Sequence, residues 1–210
     1  CILATEAFAG AGYPDCEALL IVEVEGSDLE IEEQLDKILD IAKTHNPIEL
    51  RRASDAAEAG RIWLGRKSAF GAMGQINDYM CLDGTIPVSQ LPYVLRRISE
   101  LSAEFGLDVG NVFHAGDGNM HPLILYNANK EGDLEKCEAF GAEILKLCVE
   151  VGGCLTGEHG VGIEKRDLMS VQFSALDLEA QMQIKDVFDP KWLLNAAKVF
   201  PLDATQSRRD

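Results

Sequence analysis

Residues 17 to 26 read EALLIVEVEG, an apolar run that alternates with glutamate in its second half and closes on a glycine. Such a pattern predicts a β-strand. Ser27 and Glu30 then predict a capping box, opening a helix whose core face is Ile31, Leu35, Ile38 and Ala42 at spacings of four, three and four. A short strand near IELRRA precedes a helix from about Ser54 to Lys67, and DYMCLDGTIP reads as a strand-like segment ending at Pro87. Ser89 is placed to cap the next helix, which runs to about Phe105. GNVFHAG and HPLILYN are two further β-like runs around a short loop, followed by a predicted helix from Asp133 to Val151. Helices are also predicted over 160–170 and 175–187, with FDPKWLLNAAKVFP as a compact C-terminal segment and DATQSRRD as a frayed, flexible tail. Strands and helices interleave with hairpin-like pairs. The expected fold class is therefore α+β, a mainly antiparallel sheet covered by helices on one face.

Composition narrows this picture. A chain of 210 residues, 47% hydrophobic, is long enough for one large domain or two small ones with a proper core. The formal charge of −16 repels phosphate backbones and anionic lipid at long range, so no nucleic acid is expected as a partner. A small anionic substrate requires arginine, lysine or a metal to reverse the sign locally. No apolar stretch approaches the roughly 18 to 20 residues of a membrane span, and CILATEAFAG lacks the features of a signal peptide. A cytoplasmic protein is expected, peripheral to a membrane at most through partner subunits. The chain opens without methionine and is expected to be a fragment or processed piece. Its six cysteines, at 1, 16, 81, 137, 148 and 154, form no CxxC pair. Cys137 and Cys148 share an apolar stripe with Leu134, Ile144 and Val151, and read as buried small hydrophobes.

The candidate chemistry is concentrated in one region. Eleven of the 19 glycines lie between Gly106 and Gly162, and so do His114, His121 and His159, three of the four histidines. Glycines let backbone turn sharply and approach a ligand closely. In HAGDGNMH (114 to 121) the two histidines flank a Gly-rich turn, and Pro122 biases His121 toward an extended conformation. In GGCLTGEHGVGIEK (152 to 165) Glu158 and His159 are mounted on glycines in the same manner. His114, His121 and Glu158 could supply the three ligands of a catalytic divalent ion with one position left open. The plainer alternative is that the histidines bond loop backbone, and that Asp117 and Asn119 only form the turn. His159 suits proton transfer, and Arg66 in IWLGRKSAF could grip a carboxylate bidentately, although a surface arginine is the simpler reading. GEHGVG is not a dinucleotide fingerprint, and HExxH, GxSxG and P-loop motifs are absent.

NVFHAGDGNMHPLILYN, GGCLTGEHGVGIEKRDLM and FDPKWLLNAAKVFP occur in this order, with IWLGRKSAFGAMGQINDYMCLDGTIPVSQLP upstream of them. Together they resemble the C-terminal domain of FAD-linked oxidases of the vanillyl-alcohol oxidase and p-cresol methylhydroxylase type. Within that superfamily they look most like the FAD subunit of glycolate oxidase and the D-lactate and D-2-hydroxyglutarate dehydrogenases. The resemblance implies a cap domain over residues 1–200, a tail over 201–210, and an N-terminal FAD-binding domain absent from this chain, without which no turnover is expected. It implies a divalent metal (Zn, Mn or Fe) on His114, His121 and Glu158, His159 as base, and Arg66 as carboxylate clamp. Asn195 and Lys198 match the LNxxK segment near the flavin, and with Asn119 they are the candidate cofactor-binding residues.

Two departures shape the expectation. The family often has LNPGK where this chain has LNAAK, which leaves the local loop geometry open. Relatives acting on 2-hydroxyglutarate have further polar contacts where this chain has Phe70, Cys81 and Leu123, so a small monocarboxylic 2-hydroxy acid such as glycolate or D-lactate is favoured. Expected partners are that substrate, the FAD domain of the same protein, an electron-acceptor subunit, and a second copy in a homodimer. Two rival functions remain. A stand-alone metal hydrolase or lyase would show hydrolytic activity without flavin, and a non-catalytic interaction module would tolerate loss of His114 and Glu158.

Overall fold

The computed structural model describes residues 1–209, which divide into two compact units, one over Cys1–Ile76 and one from Asn77 onward. In the first, helix α1 (Ile2–Ala9) packs along α3 (Ala56–Gly74), and α2 (Asp28–Lys43) begins at the capping box its sequence predicts. The Glu30 carboxylate accepts the backbone N–H and the hydroxyl of Ser27 at 2.9 and 2.7 Å. Asp55 caps α3 by accepting from the Glu58 N–H at 2.8 Å, so α3 starts beyond Ser54 and runs past Lys67. The ring of Tyr13 lies against Gly65, where any Cβ would collide with it. The strands expected at 17–26 and in IELRRA do not form. A β-like pattern becomes a strand only where a neighbour takes up its backbone hydrogen bonds, and among the described residues neither segment enters a ladder.

The second unit holds the sheet. Strand β1 (Asp78–Cys81) and β3 (Val109–Asn111) flank β5 (Pro122–Tyr126), all antiparallel, while β2 (Gly84–Thr85) pairs with β4 (Asn119–Met120). This is the expected α+β class with a small sheet. The register sets Met80 opposite Ile124, and Val109 opposite Ile124 from the other side. Alternation places these residues on one face, against which α5 (Asp133–Glu150) lays Cys137, Phe140 and Ile144. Helix α4 (Leu91–Phe105) adds Val94, Ile98 and Leu101, and the Phe105 and Phe140 rings stack at 5.3 Å. Each such side chain, removed from water, contributes roughly 1.5–3 kcal/mol. The opposite face carries Cys81 paired with Leu123 and, two residues before Leu123, His121.

Three predicted elements differ. Ser89 caps nothing: a 3-10 turn, Val88–Gln90, leads into α4, whose first turn contains Pro92. The helix expected over 160–170 is instead a chain of turns, a 3-10 turn at Arg166–Leu168 and the short α6 (Met169–Gln172). Gly160 and Gly162 adopt φ of +83° and +56°, outside the right-handed helical region. The segment expected to fray after Pro201 ends in the short α8 (Gln206–Arg209), because Arg208 pairs with Glu179 and Asp186 of α7 (Ala175–Phe188) and Thr205 is buried. No helix among the described residues is long and apolar enough to cross a membrane.

Candidate active site

The site grows from the two-residue ribbon. β2 and β4 are joined in register by Gly84↔Met120 and Thr85↔Asn119, and a bridge from Thr85 to Cys154 ties the segment after α5 to the same ribbon. Histidine 114 bridges to Asn119, closing the HAGDGN turn. Gly118 makes that turn possible, since its φ is +70° and a Cβ there would lie 2.1 Å from the Ile86 carbonyl oxygen. Both halves of the Gly/His-rich sequence are thereby brought to one edge.

Asp83, between β1 and β2, organises the second half. It is fully buried and accepts from the Thr156 hydroxyl at 2.7 Å, from the backbone N–H groups of Gly157, Glu158 and His159 at 2.9, 3.1 and 2.8 Å, and from Lys165 Nζ at 3.3 Å. Burial alone would raise its pKa, but these donors prevail and hold the carboxyl well below the usual carboxylate range. The loop from Thr156 to Gly160 is thus wrapped around a buried anion, which fixes where Glu158 and His159 project. Neither Asp83 nor Lys165 is singled out by the sequence motifs. The available signal was a single aspartate inside the apolar run MCLDGTIP.

His121 is buried and its orientation is set by hydrogen bonding. Nδ1 lies 3.0 Å from the Leu82 carbonyl oxygen, an acceptor only, so Nδ1 carries a proton. In the neutral ring Nε2 then presents a lone pair, and it faces Glu158 Oε1 at 3.0 Å. Two electron-pair donors at that distance require a cation or a proton between them. A divalent ion satisfies the requirement, and donation of the far ring nitrogen to a carbonyl is how metal-binding histidines are commonly oriented. The donor chemistry therefore fits the group implied by the family resemblance.

The predicted residues distribute unevenly around this pair. His159 stacks on His121, ring centroids 5.1 Å apart and 15° from parallel, while the exposed His114 meets the His121 ring edge-on at 5.5 Å. Donor atoms of Asp83, His121, Glu158 and His159 all lie within 4.8 Å of one another. His114, expected as a ligand, borders that group without belonging to it, and His159, expected as the base, falls inside it. Asp83 is spent on its loop bonds. Asn119 is buried, with no hydrogen-bond partner for Oδ1, and its amide lies where a Cβ on Gly157 would come within 2.9 Å.

Other predicted residues lie apart from this cluster in sequence. Asn195 and Lys198 are exposed, with Lys198 Nζ 3.4 Å from Asn195 Oδ1. Their loop carries left-handed backbone at Trp192, Asn195, Ala197 and Val199. Ala197 stands where the family pattern has glycine, and its φ of +63° is one that glycine adopts freely. Arg66 belongs to α3 in the N-terminal unit, half-buried, its guanidinium carbon 6.0 Å from the Phe70 ring centroid. Burial lowers its pKa, opposed by the charge of Tyr13.

Known proteins give this geometry a context. The chain is 48% identical over 202 residues to the glycolate oxidase subunit GlcD of Escherichia coli strain K12, covering 95% of this chain and 40% of that protein. It is 31% identical over 205 residues to the Bacillus subtilis subunit of the same name, covering 97% and 44%. It is 29% identical over 180 residues to a mitochondrial D-lactate dehydrogenase (cytochrome) of Kluyveromyces lactis, covering 82% and 31%. The chain thus spans less than half the length of these relatives. Residues 1–199 match the family model described as FAD linked oxidases, C-terminal domain, and the chain belongs to that family.

Proposed function

We propose that this chain is the substrate-binding and metal-binding part of a flavin-dependent 2-hydroxy acid oxidoreductase that converts glycolate or D-lactate to the 2-oxo acid. The observation that carries the reading is the His121–Glu158 pair, two electron-pair donors 3.0 Å apart in a chain of this family. His121 and Glu158, with His114 at their side, would hold a divalent ion, which when bound supplies charge to the carboxylate and hydroxyl oxygens of the substrate. FAD, held by a further part of the longer protein, supplies the hydride acceptor.

The residues of this chain do the rest. His159 takes the hydroxyl proton at an imidazole nitrogen, and the backbone of its loop is anchored by Asp83 while the side chain stays exposed. In this reading Arg66 is the group that would pair with the substrate carboxylate, and Asn195, Lys198 and Asn119 are those that would contact the cofactor. Cys81 and Leu123, directly paired across β1 and β5, present no charge to a second carboxylate, which supports a small monocarboxylic substrate.

The test is an anaerobic titration of the full-length protein. Glycolate or D-lactate should bleach the flavin, and Glu158→Gln should lose both bound metal and that bleaching. Undiminished flavin reduction by the metal-stripped protein, or by Glu158→Gln, overturns the metal-assisted reading. Hydrolytic activity without flavin would favour a metal hydrolase instead.

A further inference from the structure

His121 belongs to two overlapping donor sets. One joins it to Glu158 and His159. The other joins it to His159 and Cys81, whose three donor atoms also lie within 4.8 Å of one another. The second set follows from the pleat of the sheet: Cys81 ends β1 opposite Leu123, and His121 precedes Leu123 by two, so both project from the same face. The stacked ring of His159 completes it from the Asp83-anchored loop. No other cysteine joins a group of three donors among the described residues.

The two sets differ in chemistry. Imidazole with carboxylate suits harder ions such as manganese or iron, whereas a thiolate among imidazoles selects softer ones. We propose that Cys81, His121 and His159 form a binding site for a thiophilic divalent ion such as cadmium, and that its occupancy inhibits the protein. Binding exchanges the Cys81 S–H bond for an S–metal bond and releases one proton to solvent; no electron moves. Zn–S and Zn–N bonds of about 2.3 and 2.0–2.1 Å at a tetrahedral angle put donors about 3.5 Å apart. The exposed His159 side chain, on its loop between Gly157 and Gly160, has the room to close the remaining gap. Cys81 Sγ gives up only a weak bond to the Leu82 carbonyl, 3.4 Å long.

Inhibition follows because the soft ion turns His159 from a proton acceptor into a ligand and draws His121 away from Glu158. That consequence rests on the proposed function. Binding itself does not.

The experiment takes the metal-stripped full-length protein, as wild type, Cys81→Ser and Cys81→Ala, and titrates each with Cd2+ and separately with Mn2+. Wild type should develop the ultraviolet thiolate-to-cadmium absorption that both variants lose in part, and the variants should bind Cd2+ at least ~tenfold more weakly. Their Mn2+ affinity should match wild type, which also reports an intact fold. Cadmium inhibition of 2-hydroxy acid oxidation should weaken in parallel. Equal Cd2+ affinity and an equal absorption band in all three proteins overturn the proposal. A wild type that ignores Mn2+ yet shows Cys81-dependent cadmium binding refutes manganese as the ion of the proposed function and leaves this site standing.

Discussion

The two units bury their large apolar residues to different extents. In the C-terminal unit, Ile98 and Phe140 are wholly buried, and the sheet, α4 and α5 share one continuous core. In the N-terminal unit, α2 has no buried residue, and Leu20 and Ile48 are 74% and 80% exposed. Yet both regions carry equally clear hydrophobic patterns in sequence. The difference teaches that a pattern states what a segment would bury, whereas burial requires a partner surface of matching register. The metal-ligand and base candidates gather in the C-terminal unit, where Asp83 anchors their loop, whereas Arg66 belongs to α3 of the N-terminal unit.

Substitutions can break or sharpen that contrast. His159→Gln, in the C-terminal unit, should lower kcat of the full-length protein by about 10²–10⁴-fold with little change in stability, read by steady-state kinetics and thermal melting. Asp83→Asn should destabilise the C-terminal unit by roughly 3–5 kcal/mol in urea titrations, because buried Lys165 and the loop N–H groups lose the charge they face. It should also change the acid response. The folded pKa of Asp83 lies below its unfolded value, so its stabilisation is complete above about pH 4 and disappears as pH falls through the folded pKa. Wild type should therefore lose more stability below pH 4 than the variant, and equal slopes would contradict the loop-anchor role.

Phe140→Ala should cost about 3–5 kcal/mol in the same titrations, the toll of an unfilled core position. Ala197→Gly should instead stabilise by about 0.5–1 kcal/mol, since it relieves a left-handed backbone, and a neutral or destabilising result would show that the strain is absent. Ile41→Ala, on the exposed side of α2, should stay within about 0.5 kcal/mol of wild type. A loss of the size seen for Phe140→Ala would mean that α2 buries this residue against a surface after all.

Much of the framework was legible because it is local. The capping box of Ser27 and Glu30, the helix after Gly132, and the antiparallel runs on either side of HAGDGNMH all follow from spacings of a few residues. The stripe on α5 was legible only in part: Cys137, Ile144 and Cys148 are buried, but Leu134 is 41% exposed. EALLIVEVEG misled because its pattern is compatible with a strand while the pairing edge lies outside the segment. The helix expected at 160–170 failed because two glycines favoured left-handed turns over helical propagation. At the site, the motifs named His121, Glu158 and His159, whereas the contributions of Asp83 and Cys81 came from 38 to 78 residues away in sequence and were visible only in three dimensions.

The amino-acid sequence by itself determined the fold class, the family and the short list of groups able to do chemistry, because composition, periodicity and motif are properties of neighbours along the chain. Tertiary structure alone decided which of those groups meet. Only folding sets the Cys81 thiol and the His121 imidazole on one face of a sheet, buries Asp83 beneath a loop of N–H donors, and brings His121 Nε2 to 3.0 Å from Glu158 Oε1. The physical reason is that coordination and proton transfer depend on distances through space, which no spacing along a chain specifies until hydrogen bonding and burial have chosen one arrangement.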